Sequence, residues 1–402
     1  MEKSKKIYLD FASTTPVDPR VSFWMQKILK NNFANASAIH NLGVETKKIL
    51  EKSRMNVAKI IEAHGDEIIF TSGATESNNL AIFGTLENVK SIYPHIVTTN
   101  IEHPSVLEVC KHLEKNKKAE VTYVPVEESG IIDPKKIRKA LKPNTVLVSV
   151  MYANNEIGTI QPIQEVAKEI RYFNKVNSKK IIFHSDTTQG INYLPIRVER
   201  LGVDLMSFNG GKIYGPKGVG ILFKKRKVEL TPTIFGGNQE FGLRSGTENI
   251  VGIAGLSLAL EITEKMKEKE NRRLTNLRDY FIQKLLKLSS EIKLNGDLYK
   301  RLPNNINITI PRLPSDLLVL ELSARGIFVS EKSACKAGEA GNSYVVEALS
   351  RNKSNSGKIC KKNDKKIGSL RFSMGRQTTK LDIDYTIKSL AEILKKLKRW
   401  YN

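Results

Sequence analysis

Cysteine is scarce in this chain: Cys110, Cys335 and Cys360 are the three thiols in 402 residues, and no two of them form a Cys-x-x-Cys pair. That spacing excludes a disulfide framework and a structural zinc site, so a cysteine with a task must act singly. Long apolar runs are also missing. No segment approaches the roughly 18 apolar residues that span a bilayer, so no membrane segment is expected. The first ten residues pass from charge straight into a strand-like stretch, without the apolar core and small-residue cleavage site of a secretory leader, and the expected location is the cytoplasm. Acidic residues are outnumbered, 42 Asp and Glu against 65 Lys and Arg, a formal charge of +23. Such an excess raises the possibility of phosphate-rich partners. The lysines, however, are scattered over helical stretches at 111–118, 135–142, 265–269 and 388–398. That is the pattern of solvated faces rather than of a groove, and direct nucleic-acid binding is not expected.

What is present is the composition of a globular enzyme: 40% hydrophobic and 7% aromatic residues in a chain long enough for two domains. Short runs rich in Val, Ile and Phe, near 67–70, 95–98, 121–124, 145–150, 180–183, 203–206 and 220–223, alternate with amphipathic stretches. This predicts an α/β unit with a mostly parallel central sheet and helices on both faces. A long helical stretch over 253–288 leads to a smaller α+β region, with a strand at 305–310 and helices at 315–324 and 383–400. The polar, lysine-rich segment 351–366, which contains Cys360, cannot bury a core and reads as a mobile loop.

Polar motifs trail the apolar runs, where ligands gather in such sheets. In Asn209-Gly-Gly-Lys212 a lysine stands among residues without bulk, able to approach a flat cofactor and close a Schiff base on an aldehyde, although a solvated turn would look the same. Thr71-Ser-Gly-Ala-Thr75 places small residues at a helix start, which suits a phosphate on free N–H groups and equally suits ordinary capping. Asp186, after the run 181–183, is a carboxylate that can keep a pyridinium nitrogen protonated, or a turn residue. His103 can stack and shuttle protons, or simply be a partly buried polar group. Asn154 and Asn155 offer side-chain amides. The loop 236–249 carries Arg244 and Thr247, and the small, polar loop around Cys335 carries a thiol beside Lys336, whose charge favours the nucleophilic thiolate. Arg371 is a candidate carboxylate clamp. Cys110 falls on an apolar helical stripe and reads as packing.

Taken in order, Tyr8-Leu-Asp-Phe-Ala-Ser-Thr-Thr-Pro16, Thr71-Ser-Gly-Ala-Thr-Glu-Ser-Asn78, Glu102-His103, Asn154-Asn-Glu-Ile-Gly158, Asp186 to Gln189, Lys212-Ile-Tyr-Gly-Pro-Lys-Gly218, Arg244-Ser-Gly-Thr247, Ser333-Ala-Cys335 and Arg371-Phe-Ser-Met-Gly375 resemble the cysteine desulfurases of the NifS/IscS type. These are class V aminotransferase-like, fold type I pyridoxal-phosphate enzymes, and the match runs nearly end to end. The resemblance implies a homodimer with a large cofactor domain at 16–262. It implies a small α+β domain from 1–15 and 263–402 that carries a mobile cysteine loop at about 329–342. It further implies pyridoxal 5'-phosphate linked to Lys212, with His103 on its ring, Asp186 on its ring nitrogen, and Gln189 and Asn155 on its edge. Ala74, Thr75, Asn209, Gly210 and Gly211, with Thr247 from the partner, would surround the phosphate.

L-cysteine would be held by Asn155 and Arg371 and give up its sulfur to Cys335 as a persulfide, leaving L-alanine. No intrinsic metal site is implied, although Cys335 would be free to ligate an iron–sulfur cluster transiently. The sulfur would pass to an acceptor protein such as an iron–sulfur scaffold or a tRNA-thiolation enzyme. Two alternatives share the fold: a related aminotransferase or selenocysteine lyase, and a cofactor-free sulfur-carrier scaffold. The last is prompted by Asn209 and Gly211, which stand where the family has a serine and a histidine.

Overall fold

The structure, a computed structural model, describes residues 6–89, 93–331, 343–351 and 368–401. Cys335, Cys360 and nearly all of the lysine-rich segment therefore lie outside the described residues.

Each apolar run forms a strand of one seven-stranded sheet. They are β2 (Ile68–Thr71), β3 (His95–Thr99), β4 (Glu120–Val124), β5 (Thr145–Ser149), β6 (Ile182–Asp186), β7 (Leu205–Asn209) and β8 (Gly220–Lys224). The spatial order is β2-β8-β7-β6-β5-β3-β4. Contacts among β3 to β7 are parallel, while β8 runs antiparallel to both β7 and β2. Alternation along a strand explains why both faces are apolar. Ile96 and Leu147 pack with Val106, Val109 and Cys110 on one side, while their neighbours Val97 and Val148 join the core on the other.

The helices are α1 (Pro19–Asn31), α2 (Asn41–Ile61), α3 (Ala74–Glu87), α4 (Pro104–Lys115), α5 (Pro134–Ala140), α6 (Ile163–Asn177), α7 (Val198–Leu201), α8 (Ile250–Leu288), α9 (Ser315–Ser323), α10 (Tyr344–Arg351) and α11 (Lys380–Tyr401). Pro at the first position and an aspartate or histidine cap start α1, α4 and α5. The 39-residue α8 is shared between two cores. Its first half, with Ile253 and Leu256, packs into the large core, and Leu274, Phe281 and Leu285 join a second one. That second core lies against the antiparallel sheet β12-β10-β9, made of β12 (Gly368–Ser373), β10 (Asn305–Ile310) and β9 (Lys293–Leu294). Helix α10 sends Val345, Ala348 and Leu349 into the large core, although it follows the small sheet's strand β10 in sequence.

Two connections place the functional segments. β1 (Ile7–Tyr8) pairs in parallel with β11 (Ile327–Phe328), and Asp10 bridges to Ser373, so the N-terminal segment runs from the small sheet towards the large one. At the other side β8 begins at Gly220, where a Cβ would lie 2.5 Å from the carbonyl carbon of Gly73. Only glycine permits that approach of strand to loop, and it fixes the start of α3 over the end of the sheet.

Candidate active site

Beyond the C-terminal ends of the central strands lies a cavity of about 220 Å³. Most of its wall is built from chain reversals that follow strands of the large sheet, and Arg371 closes it from within β12. β2 leads through Gly73 into α3. Gly73 is the cap, it offers no side chain, and a Cβ there would meet nothing within 4 Å. The first-turn residues Ala74 and Thr75 line the cavity, an arrangement that suits an anion.

β6 ends on Asp186, which is 5% exposed. Its Oδ2 accepts from Asn78 Nδ2 at 2.8 Å and its Oδ1 from the Thr188 N–H at 2.9 Å, so the carboxylate is fixed from two sides. Two residues before it, His184 is wedged between Ser149 and Ser207 at 2.8 and 2.9 Å, and burial pushes its pKa down to about 4.

The turn after β3 presents His103 as the cap of α4. This turn is bolted down by Glu102, whose Oε1 accepts from Thr99 Oγ1 at 2.6 Å and from the Met151 N–H at 3.0 Å. Burial pushes the Glu102 carboxyl up to about 8. β5 leads to Asn154, whose Oδ1 caps the N–H groups of Glu156 and Ile157, and to Asn155, which lines the cavity.

β7 leads to Lys212, whose Nζ donates to the Ser13 carbonyl. Ser13 in turn receives Arg371 Nη2 at 2.7 Å on its hydroxyl, and the same nitrogen reaches Asp10 Oδ1 at 2.7 Å. Arg371 Nη1 donates to the Asn155 carbonyl at 2.9 Å, and its Nε is buried without a partner among the described residues. The N-terminal motif therefore lies between the lysine and the arginine and touches both.

Ala74, Thr75, His103, Asn155 and Asp186 line the one cavity, as do Gln189, Asn209, Lys212 and Arg371. Gln189 also donates to the Ala12 carbonyl at 2.9 Å. Gly210 and Gly211 form the turn beneath it, with the Gly211 carbonyl accepting from the Thr15 N–H. Thr247 is exposed and outside the lining, on the loop that Arg244 ties to Glu76 at 3.0 Å. Asp10, Ser13, Asn78 and Ser105 were missed as site residues by the sequence reading. Two of them, Asn78 and Ser105, are buried polar side chains on helix faces that pack against the sheet, which is the signal that marks them.

The arrangement fits pyridoxal 5'-phosphate. An uncapped helix start suits a phosphate, a fixed carboxylate suits a ring nitrogen, and an imidazole and a lysine amine lie within the same cavity. Asn155 Oδ1, Thr188 Oγ1 and Asn209 Oδ1 are buried there without partners among the described residues, as expected of groups shaped for a ligand.

The sequence pattern of class-V aminotransferases matches residues 7–386. The cysteine desulfurase IscS of Dictyoglomus turgidum is 43% identical over 394 residues, which is 98% of this chain and 96% of that protein. IscS of Clostridium botulinum (strain Hall) is 39% identical, over 98% and 95%. Among solved structures, a NifS-like protein superposes with a TM-score of 0.88 at 34% identity, covering 98% of this chain and 100% of that one. SspA in complex with cysteine superposes at 0.76 with 31% identity, over 92% and 99%.

Proposed function

The chain belongs to the class-V aminotransferases and, within them, to the cysteine desulfurases, and from that premise we propose that its cavity holds pyridoxal 5'-phosphate and L-cysteine and delivers the substrate sulfur to Cys335. The observation that carries this reading is the convergence of Lys212, Asp186, His103 and the start of α3 on one cavity with Arg371 at its wall.

When bound, the cofactor supplies an electron sink for charge developing at the substrate Cα. Asp186 keeps the ring nitrogen protonated, and Ala74, Thr75 and Asn209 take the phosphate, with Thr247 contributed across a homodimer. Arg371 and Asn155 orient the substrate carboxylate. Lys212 Nζ removes the Cα proton and later returns one. The Cys335 thiolate attacks the substrate Sγ: an S–S bond forms as the Cβ–Sγ bond breaks, its electron pair stays with the carbon fragment, and that fragment takes up protons and leaves as L-alanine. The persulfide then serves an acceptor protein, of the kind that assembles iron–sulfur clusters or thiolates tRNA. No described helix is long and apolar enough to cross a membrane, and the reading places the enzyme in the cytoplasm, with a large domain over 16–262 and a small one from 1–15 and 263–402.

The test uses the holoenzyme with L-cysteine, alanine quantified and thiols trapped and mapped by mass spectrometry. Persulfide is expected on residue 335, and Cys335→Ala is expected to abolish both persulfide and cysteine-dependent alanine. Undiminished alanine formation by Cys335→Ala would overturn the mechanism.

A further inference from the structure

Asn78 lies on α3, fully buried, one turn beyond Ala74, and its side-chain amide points at two of the groups that face the cofactor. Nδ2 donates to Asp186 Oδ2 at 2.8 Å and to Ser105 Oγ at 2.8 Å. Both amide hydrogens are thereby used. Ser105 Oγ, accepting from Asn78, has a single hydrogen to give, and it lies 2.8 Å from His103 Nδ1. The Ser105 backbone N–H donates to the same Nδ1 at 3.1 Å. Two donors on Nδ1 make that nitrogen an acceptor, so the neutral imidazole carries its hydrogen on Nε2.

The opposite amide orientation is disfavoured by electrostatics. It would turn a carbonyl oxygen towards the Asp186 carboxylate and leave Ser105 Oγ without a donor. In the orientation found, Asn78 Oδ1 is buried without a partner among the described residues. An unmet buried carbonyl costs about 1–3 kcal/mol, so the position accepts a penalty in order to keep its two donors aimed at Asp186 and Ser105.

We propose that Asn78 is a positioning residue that links the two faces of the reaction site: it holds the Asp186 carboxylate in place and, through Ser105, fixes the His103 ring in its Nε2–H tautomer. The link joins α3, whose start takes the phosphate, to the strand end that bears Asp186 and the cap that bears His103. One side chain thus sets the relative placement of all three. The consequence for the reaction rests on the cofactor reading above, whereas the tautomer does not.

The experiment has two arms. In the first, ring-nitrogen NMR of the cofactor-free protein, assigned with His103→Gln, is expected to show His103 protonated at Nε2 only. Ser105→Ala and Asn78→Asp are expected to shift the ring-nitrogen signals, the latter because the new carboxylate accepts the Ser105 hydroxyl and turns it from the imidazole. In the second, the cofactor-saturated enzyme is assayed with L-cysteine. Asn78→Ala is expected to lower kcat about ten-fold or more while KM stays within about two-fold, and Asn78→Asp, which sets a second carboxylate against Asp186, is expected to lower it further. A His103 hydrogen on Nδ1, or an Asn78→Ala enzyme with unaltered kcat, would overturn the proposal. A wild-type protein with the Nε2–H tautomer but no cysteine turnover would instead overturn the desulfurase reading. Should Asn78→Ala not fold, Ser105→Ala and the wild-type tautomer still decide.

Discussion

At the scale of single residues, the end of the cavity proposed to take the phosphate carries this chain's departure from the family pattern. Asn209 lines the cavity, whereas Gly211 is not among the lining residues and carries no side chain where the resemblance implies an imidazole. The backbone there accepts a Cβ. A Cβ at Gly211 would find Lys217 Cγ at 3.5 Å and Asn209 Oδ1 at 3.8 Å, ordinary contacts. Gly211→His should therefore fold and add a charge-assisted hydrogen bond of about 1.5–3 kcal/mol to the phosphate. Spectral titration of the cofactor-free protein with pyridoxal 5'-phosphate is expected to give a Kd at least about ten-fold tighter than wild type, and an unchanged Kd would show that residue 211 does not face the phosphate. Arg371 teaches a related lesson. It was read as a candidate carboxylate clamp, and the structure sets it in the cavity wall, but its ties to Asp10 and Ser13 were not legible, because those partners are 361 and 358 residues away.

At the scale of elements, the strands and long helices were readable because burial on both faces demands continuous apolar runs, and a helix the length of α8 declares itself by its period. Two-residue strands such as β1, β9 and β11 have no such period. The same holds for the anchor of the loop 236–249. There Glu240 and Phe241 both adopt left-handed backbone, at φ +48° and +59°. The strain is held by a buried bidentate pair between Glu240 and Arg54, with N–O distances of 2.7 and 2.8 Å. The Phe70 N–H also donates to Glu240, and the Phe241 ring lies 5.0 Å from the guanidinium. Nothing local in the sequence announces a pair 186 residues apart. Removing one charge strands the other in a dry site, so Glu240→Gln is expected to cost about 3–5 kcal/mol. Urea denaturation is expected to show that loss, with accelerated proteolysis inside 236–249. Wild-type stability in this variant would mean that the pair does not anchor the loop.

At the scale of the whole molecule, stability and assembly follow from what is buried and what is not. Burial holds His95 neutral to about pH 4 and lowers His184 likewise, whereas an unfolded histidine takes a proton near 6.5. As pH falls from 6.5 towards 4 the unfolded chain binds protons that the native chain refuses, and stability drops. Glu102 works in the other direction: native it titrates near 8, unfolded near 4.5, so its contribution is full below 4.5 and fades as pH rises to 8. Two histidines against one carboxyl place the maximum near pH 6.5, which denaturation midpoints across pH 4–9 will check; midpoints rising steadily from 6.5 to 8 would contradict the assignment of Glu102. The surface is the counterpart. Phe23 on α1 is 71% exposed, Phe33 and Ile39 between α1 and α2 are 78% and 98% exposed, and Phe235 beside the anchored loop is 78% exposed. Each large apolar side chain withdrawn from water returns about 2 kcal/mol, and a second copy of the chain is the partner that would also bring Thr247 to a cavity it does not line in its own subunit. Sedimentation is therefore expected to find a dimer, and Ile39→Asp with Phe235→Asp a monomer whose cofactor Kd is weakened together with its assembly. A wild-type monomer with full cofactor affinity would leave these side chains without that role and assign the phosphate to residues of one chain alone.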